Sequence, residues 1–225
     1  MLKNLKEFKK SGHDVTVVSA SPLHYYSGMG PGMLSGIYRP EEIRFNVKKL
    51  SEDRGAAFVE DKVVKVKPDE RKIDLQSGNQ ISYDVISLNT GSFVPVADSM
   101  TTAETVFTVK PIENLLKANR KISEILKTQE LKATVVGGGP TGVEVAGNLD
   151  RLVRNESGKC RITLVAGTRL LSQFKANVRQ RALNSLGGRN VQVMEDVRLA
   201  AVKDGAVKLS DGAVMECDII FMATG

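Results

Sequence analysis

The sequence predicts an α/β protein built of two three-layer domains, each a parallel sheet flanked by helices. Three observations carry that reading. The first is Thr134-Val-Val-Gly-Gly-Gly-Pro-Thr-Gly-Val-Glu-Val-Ala-Gly147, a short apolar strand that runs through glycines into a helical pattern. The second is an internal repeat, in which Gly78 to Gly91 aligns without a gap on Gly212 to Gly225, each copy carrying an aspartate (Asp84, Asp218) and closing on Thr-Gly. The third is the alternation of strand and helix signals along the chain, which implies parallel sheets with helices on both faces.

The elements follow in order. Leu2, Leu5 and Phe8 at helical spacing mark Met1 to Lys10 as a helix tail. His13 to Ser19 reads as a strand, followed by a Ser-Pro loop and the glycine-rich Tyr25 to Leu34. Arg39 to Leu50 reads as helical and Ala56 to Glu60 as a short strand. Val63 to Val66 and Lys72 to Leu75 alternate about Pro68-Asp69-Glu70, predicting a small antiparallel layer. Val85 to Leu88 is a buried-type strand that closes the first unit, and Ser92 to Thr108 is a polar connector. Pro111 to Lys127 is an amphipathic helix with Ile112, Leu115, Leu116, Ile122, Ile125 and Leu126 on one side. The second unit then runs as strand, glycine loop, helix, strand Ile162 to Val165, helix Ala176 to Leu186, strand Val191 to Met194, hairpin, and final strand Ile219 to Ala223.

The repeat sets the domains at 1–108 and 109–225. Aligning Thr16 with Thr163 puts the first copy's opening strand and glycine loop upstream of Met1, and the last strand stops at Gly225 with no closing helix. The expectation is a chain incomplete at both ends. The alternative is a short form whose first domain lacks its central strand and leaves a sheet edge open.

Hydrophobic content of 41% and charged content of 26% are those of an ordinary globular protein. No apolar run reaches the roughly 20 residues of a membrane span, and no signal-peptide pattern opens the chain. The expectation is a cytoplasmic protein, with peripheral contact at the inner face of a membrane as the alternative. The net charge of +6 is scattered among acidic residues, so a solvated surface is favoured over a nucleic-acid partner. Cys160 and Cys217 form no C-x-x-C, and His13 and His24 offer neither metal-ligand spacing nor a nucleophile–base pair.

Gly137, Gly139 and Gly142 supply G-x-G-x-x-G: the first for the tight turn, the second for approach to a pyrophosphate, the third for close helix packing. The phosphates would rest on the free N–H groups of the helix that starts at Pro140 and Thr141.

With this fingerprint, the paired Thr-Gly strand ends and an inserted second domain, the chain resembles the FAD-dependent pyridine nucleotide-disulfide oxidoreductases, whose fold is the glutathione-reductase-like pair of Rossmann-like FAD/NAD(P) domains. Within that superfamily it resembles the branch without a redox disulfide, which includes type II NADH dehydrogenases. Tyr26-Ser-Gly-Met-Gly-Pro-Gly32 and Ser82 to Gly91 look closest to the flavoprotein module fused to selenide water dikinase.

The resemblance implies FAD on the first unit and NAD(P)H on the second, the nicotinamide stacked on the flavin. Carried over, Ser19, Ser21 and Pro22 follow the strand that meets the FAD ribose. Ser27, Gly28, Met29 and Gly32 form a loop near the flavin, and Thr90 and Gly91 end the strand approaching it. Thr224 and Gly225 match the crossover into the FAD domain. Glu144 matches a family glutamate near the nicotinamide, or else is a helix N-terminal acid that complements the macrodipole.

A cofactor with a free ribose 2′-hydroxyl usually finds an acid about 20 residues on, at the end of the second strand. Here that end is Val165-Ala166-Gly167, and Arg169 nearby suggests a 2′-phosphate. The function implied is hydride transfer from NAD(P)H to FAD and onward transfer of electrons to a small-molecule acceptor, a quinone by family weight. The rivals are a sulfide- or selenium-handling flavoprotein, which needs cysteines beside the flavin, and a non-catalytic nucleotide-binding module.

Overall fold

The computed structural model describes residues 2–95, 104–203 and 205–224. Its contacts divide the chain into two units, Met1–Tyr26 with Arg44–Gly91, and Ser27–Ile43 with Ser92–Gly225.

In the first unit, α1 (Leu5–Lys10) leads into β1 (Thr16–Ser19), and β2 (Leu23–Tyr25) follows. The expected helix over Arg39 to Leu50 is interrupted: Pro40–Glu42 makes one 3-10 turn, β3 (Arg44–Asn46) pairs antiparallel with β2, and only Val47–Glu52 is α-helical. The Asn46 side chain caps that helix by accepting from the Lys49 amide at 2.8 Å. β4 (Ala57–Glu60) lies parallel to β1, with Thr16 opposite Ala57. β5 (Val63–Lys67), β6 (Lys72–Leu75) and β7 (Gln80–Ser82) form the expected antiparallel layer.

The strand expected at Val85 to Leu88 is absent. Val85 is 90% exposed and Leu88 58% exposed. Its repeat counterpart, Ile219 to Met222, is wholly buried because a parallel strand hydrogen-bonds along each of its edges. No described strand of the first unit flanks Val85 to Leu88 in that way, and an apolar run without backbone partners has nothing to hold it extended.

The second unit holds α2 (Gly30–Leu34), the helix α4 (Glu113–Leu126), and a five-stranded parallel sheet; Val47–Glu52 of the first unit is α3. The strands are β8 (Val106–Thr108), β9 (Leu131–Val136), β10 (Cys160–Val165), β11 (Val191–Met194) and β15 (Ile219–Met222), in the order β11-β10-β9-β15-β8. β8 lies in the stretch expected to be a connector of the first domain. It pairs with β15, Ile220 opposite Val106, and falls with residues 92–95 in the second unit.

α5 (Pro140–Asn155) and α6 (Ala176–Gly187) complete the helices, and β12 (Leu199–Lys203), β13 (Ala206–Leu209) and β14 (Val214–Glu216) form an antiparallel meander. The crossovers β8-α4-β9, β9-α5-β10 and β10-α6-β11 all step the same way across the sheet. Right-handed connection therefore puts their helices on one face and the returning meander on the other. The packing of α4 on α5 and of α5 on α6 agrees. The three layers are thus helices, parallel sheet and meander, and the expectation of helices on both faces is corrected.

The core follows from periodicity. Val145, Leu149, Leu152 and Val153 recur at helical spacing on α5 and are buried. Leu115, Ala118 and Ile122 do the same on α4, leaving Leu116, Ile125 and Leu126 half-buried. Asp218, the repeat's aspartate, accepts the Lys132 amide at 2.7 Å while its own amide donates to the Lys132 carbonyl at 2.8 Å. This exchange fixes the register with which β15 enters beside β9.

Candidate functional site

The strand order reverses between β9 and β15: successive strands step from β9 to β11 in one direction, then the chain returns to β15. Ligands of open parallel sheets bind in the crevice outside the strand ends at such a switch point. The second unit has a cavity of about 350 Å³ there, lined by Val136, Gly137, Gly167, Arg198, Leu199 and Thr224 among others.

The glycine loop between β9 and α5 is tied to both neighbours. The Gly137 amide donates to Val165 O at 2.9 Å, the Leu171 amide to Gly138 O at 2.7 Å, and the Ala223 amide to Val136 O at 2.8 Å. Gly137 has φ +137°, and a Cβ there would be driven into the Ala223 carbonyl. At Gly142 a Cβ would collide with the Gly137 carbonyl, so the helix starts hard against the turn. Gly139 differs: beyond its own chain neighbours no described atom lies within 4 Å of its Cβ position, so its open side can receive another group.

Pro140 occupies the first turn of α5, and no side chain caps it. The amides of Thr141 and Gly142 therefore lack the intrahelical acceptors that later residues have. Two donors without an acceptor among the described residues, at a positive helix end and beside an open glycine, fit a dinucleotide pyrophosphate.

The residues carried over from resemblance divide. Gly137 and Thr224 line the cavity, while Gly225 lies outside the described residues. Glu144 is exposed, lies just beyond the first turn of α5 and does not line the cavity. A dipole effect confined to the first turn is weak at that position. Arg169 is exposed in the loop after β10, and its charge acts on Glu195.

In the first unit the Ser19 hydroxyl donates to Ser21 O at 2.9 Å, the Ser21 hydroxyl accepts from the Leu23 amide at 3.1 Å, and Pro22 O accepts from the Val47 amide at 2.8 Å. Thr90 and Gly91 are exposed and end no strand. The described residues of this unit supply a strand end but no glycine turn that could cradle the pyrophosphate of FAD.

Ser27, Gly28 and Met29 form a 3-10 turn leading into α2, whose packing is against α4 and α5 of the second unit. Gly32 is buried within α2, where a Cβ would lie 2.7 Å from the Tyr38 ring; packing accounts for this glycine. The side chains of Asn119 and Asn155 donate to Leu34 O and Ser35 O, closing the C-terminal end of α2.

Arg198 is the residue that sequence reasoning missed. It enters the crevice from the connection after β11, and only the folded register brings it there.

The cysteines exclude a dithiol. Cys160 faces Leu131 across one edge of β9, while Cys217 precedes β15 on the other edge. Two strand spacings, about 9.5 Å, exceed the roughly 7 Å Cα limit for a disulfide. Burial pushes the Cys160 thiol up to about 11 and the Cys217 thiol upward as well. At pH 8, iodoacetamide is expected to label Cys160 on the order of a hundredfold more slowly than a free cysteine; rapid labelling of either residue, read by mass spectrometry, would contradict this. No group of three His, Cys, Asp or Glu among the described residues could hold a metal.

The family model for pyridine nucleotide-disulphide oxidoreductases matches residues 2–225. The chain belongs to that family.

Members of the pyridine nucleotide-disulphide oxidoreductase family are NAD(P)H-dependent flavoprotein oxidoreductases. The chain is 24% identical to the external alternative NAD(P)H-ubiquinone oxidoreductase B1 of Solanum tuberosum mitochondria over 91% of its own length and 41% of that protein. It is 31% identical to the mitochondrial sulfide:quinone oxidoreductase of Dictyostelium discoideum over 38% of this chain and 18% of that one. The structure of NDH2 from Plasmodium falciparum in complex with NADH superposes with a TM-score of 0.81 at 20% identity, covering 99% of this chain and 52% of that chain. The chain thus spans less than half the length of the curated relatives it matches.

Proposed function

We propose that the chain carries the nicotinamide-binding domain, and part of the flavin domain, of an FAD-dependent NAD(P)H oxidoreductase that passes electrons to a quinone. The observation that carries the reading is the cradle at the switch point: open Gly139, two amides at the start of α5 with no acceptor among the described residues, and a β15 end that reaches the crevice at Thr224.

In this reading the Thr141 and Gly142 amides hold the pyrophosphate. Gly137 and Gly142 keep the turn tight enough to aim them. Val136, Leu199 and Met222 supply apolar walls that keep water from the bound cofactor. Glu144 remains a proposed neighbour of the nicotinamide. Flavin held by the whole protein would supply the hydride-accepting chemistry.

The quinone rests on the names of the relatives, a ubiquinone oxidoreductase and a sulfide:quinone oxidoreductase. No described helix is long and apolar enough to cross a membrane. A sulfur-handling reading lacks a cysteine pair among the described residues.

The test is flavin-dependent reduction of a dye and of a short-chain quinone by the full-length protein with NADH or NADPH. Turnover with both acceptors is expected. Dye turnover without quinone turnover would remove the quinone, and no turnover with either would remove the oxidoreductase reading in favour of a binding module.

A further inference from the structure

We propose that Arg198 selects a 2′-phosphorylated nicotinamide cofactor, NADPH over NADH; this rests on the nicotinamide-binding reading above. A dinucleotide whose pyrophosphate lies on α5 places its adenosine ribose toward the end of the next strand, β10. Val165 and Ala166 at that end are buried, and Gly167 has no side chain. A Cβ built on Gly167 would meet the Arg198 side chain, Cγ at 3.3 Å and Nε at 3.5 Å. Arg198 thus occupies the space where a side chain at the strand end would stand. A cation takes the place that an acid holds in a site for a free 2′-hydroxyl.

The position of Arg198 is fixed by its backbone. The Val197 amide donates to Ala166 O at 3.2 Å, the Arg198 amide donates to the Ser210 hydroxyl at 3.0 Å, and the Ser210 amide donates to Arg198 O at 2.8 Å. These bonds join the end of β10, the start of β12 and the hairpin after β13. The guanidinium is exposed and enters no ion pair among the described residues.

The surrounding charges support the same reading. Arg198 is the one charged residue lining the cavity among the described residues, and no acid lines it. Glu195, three residues earlier, is committed to Arg179 and the Leu170 amide. Arg169 does not line the cavity. A cation with no ion pair among the described residues, its backbone fixed beside a bare strand end, is suited to a phosphate dianion.

The experiment is calorimetric titration of the chain with NADPH, NADH and adenosine 2′,5′-bisphosphate, for the wild type, Arg198→Ala, Arg198→Lys and Arg169→Ala. The wild type is expected to bind NADPH at least tenfold more tightly than NADH. Arg198→Ala should weaken NADPH and the bisphosphate by roughly 10- to 100-fold, leave NADH within about twofold, and Arg198→Lys should retain part of the preference.

Equal or tighter binding of NADH by the wild type would overturn the proposal. So would an equal loss for both cofactors in Arg198→Ala, which would mean stacking on the adenine, or loss of the preference in Arg169→Ala instead. Those outcomes leave the nicotinamide site standing. Binding of neither cofactor by the folded chain would remove the site itself, and the proposal with it.

Discussion

Replacing Gly142 with alanine is expected to destabilise the second unit by about 2 kcal/mol and to weaken dinucleotide binding by roughly 100-fold. Two effects compete. Alanine is the better helix former by about 1 kcal/mol. Against that, the added methyl would enter the carbonyl of Gly137, and the obstacle is backbone that is itself tied to Val165 and Ala223. The start of α5 must move, carrying the Thr141 and Gly142 amides with it, so the clash outweighs the propensity. Gly147→Ala on the same helix is the control. Outside its own helix backbone no described atom lies within 4 Å of its Cβ position, so propensity alone acts and stability should rise by up to about 1 kcal/mol. Urea unfolding and cofactor titration of the two variants check the pair; a Gly142→Ala protein that unfolds and binds like wild type would refute the packing argument.

Glu195→Ala is expected to cost about 2 kcal/mol and to loosen the loop after β10. The carboxylate accepts from the Leu170 amide at 2.6 Å and from Arg179 Nη2 at 2.8 and 2.6 Å. Both groups of the ion pair are largely but not fully buried, so the figure lies below that for a wholly buried pair. Arg179, followed by the Leu170 amide, holds the Glu195 carboxyl below its usual value of 4.5.

A carboxyl lowered on folding contributes stability above its unfolded value and loses it as pH falls through the folded one. The difference between wild type and variant should therefore be full near pH 7 and shrink below about pH 4.5. A difference independent of pH from 7 to 3 would show that Glu195 stabilises by packing alone. Arg179→Lys should be tolerated far better than Arg179→Ala, because one nitrogen makes both bonds and the buried Arg179 Nε has no partner among the described residues.

The glycine fingerprint could be read from the sequence because Gly137 and Gly142 answer backbone demands that only glycine meets, while Gly139 leaves open the side on which a ligand can lie. α4 and α5 were legible for a related reason: an apolar face repeats every turn and needs no knowledge of its partner. The segment Arg39 to Leu50 was not. Pro40-Glu41-Glu42 does begin a helical turn, but pairing with β2, some twenty residues earlier, overrides the local preference in β3.

Val85 to Leu88 carries the same pattern as β15 without forming a strand, because an extended chain depends on neighbours that its own sequence does not encode. Arg198 was hidden for the same reason. Its nearness to Gly167 comes from the Val197–Ala166 bond, across some thirty residues of chain. Gly32 shows the limit in another way: a glycine-rich stretch suggested a cofactor loop, and only the fold reveals that this glycine makes room for Tyr38.

The solvent-facing run Val85-Ile86-Ser87-Leu88 also bears on how the molecule behaves in a tube. Two of its large aliphatic side chains stand in water, and the run carries no charge, proline or glycine to discourage strand addition from another chain. Such a run is open to pairing with a strand of another chain, and a charge placed within it would discourage that pairing.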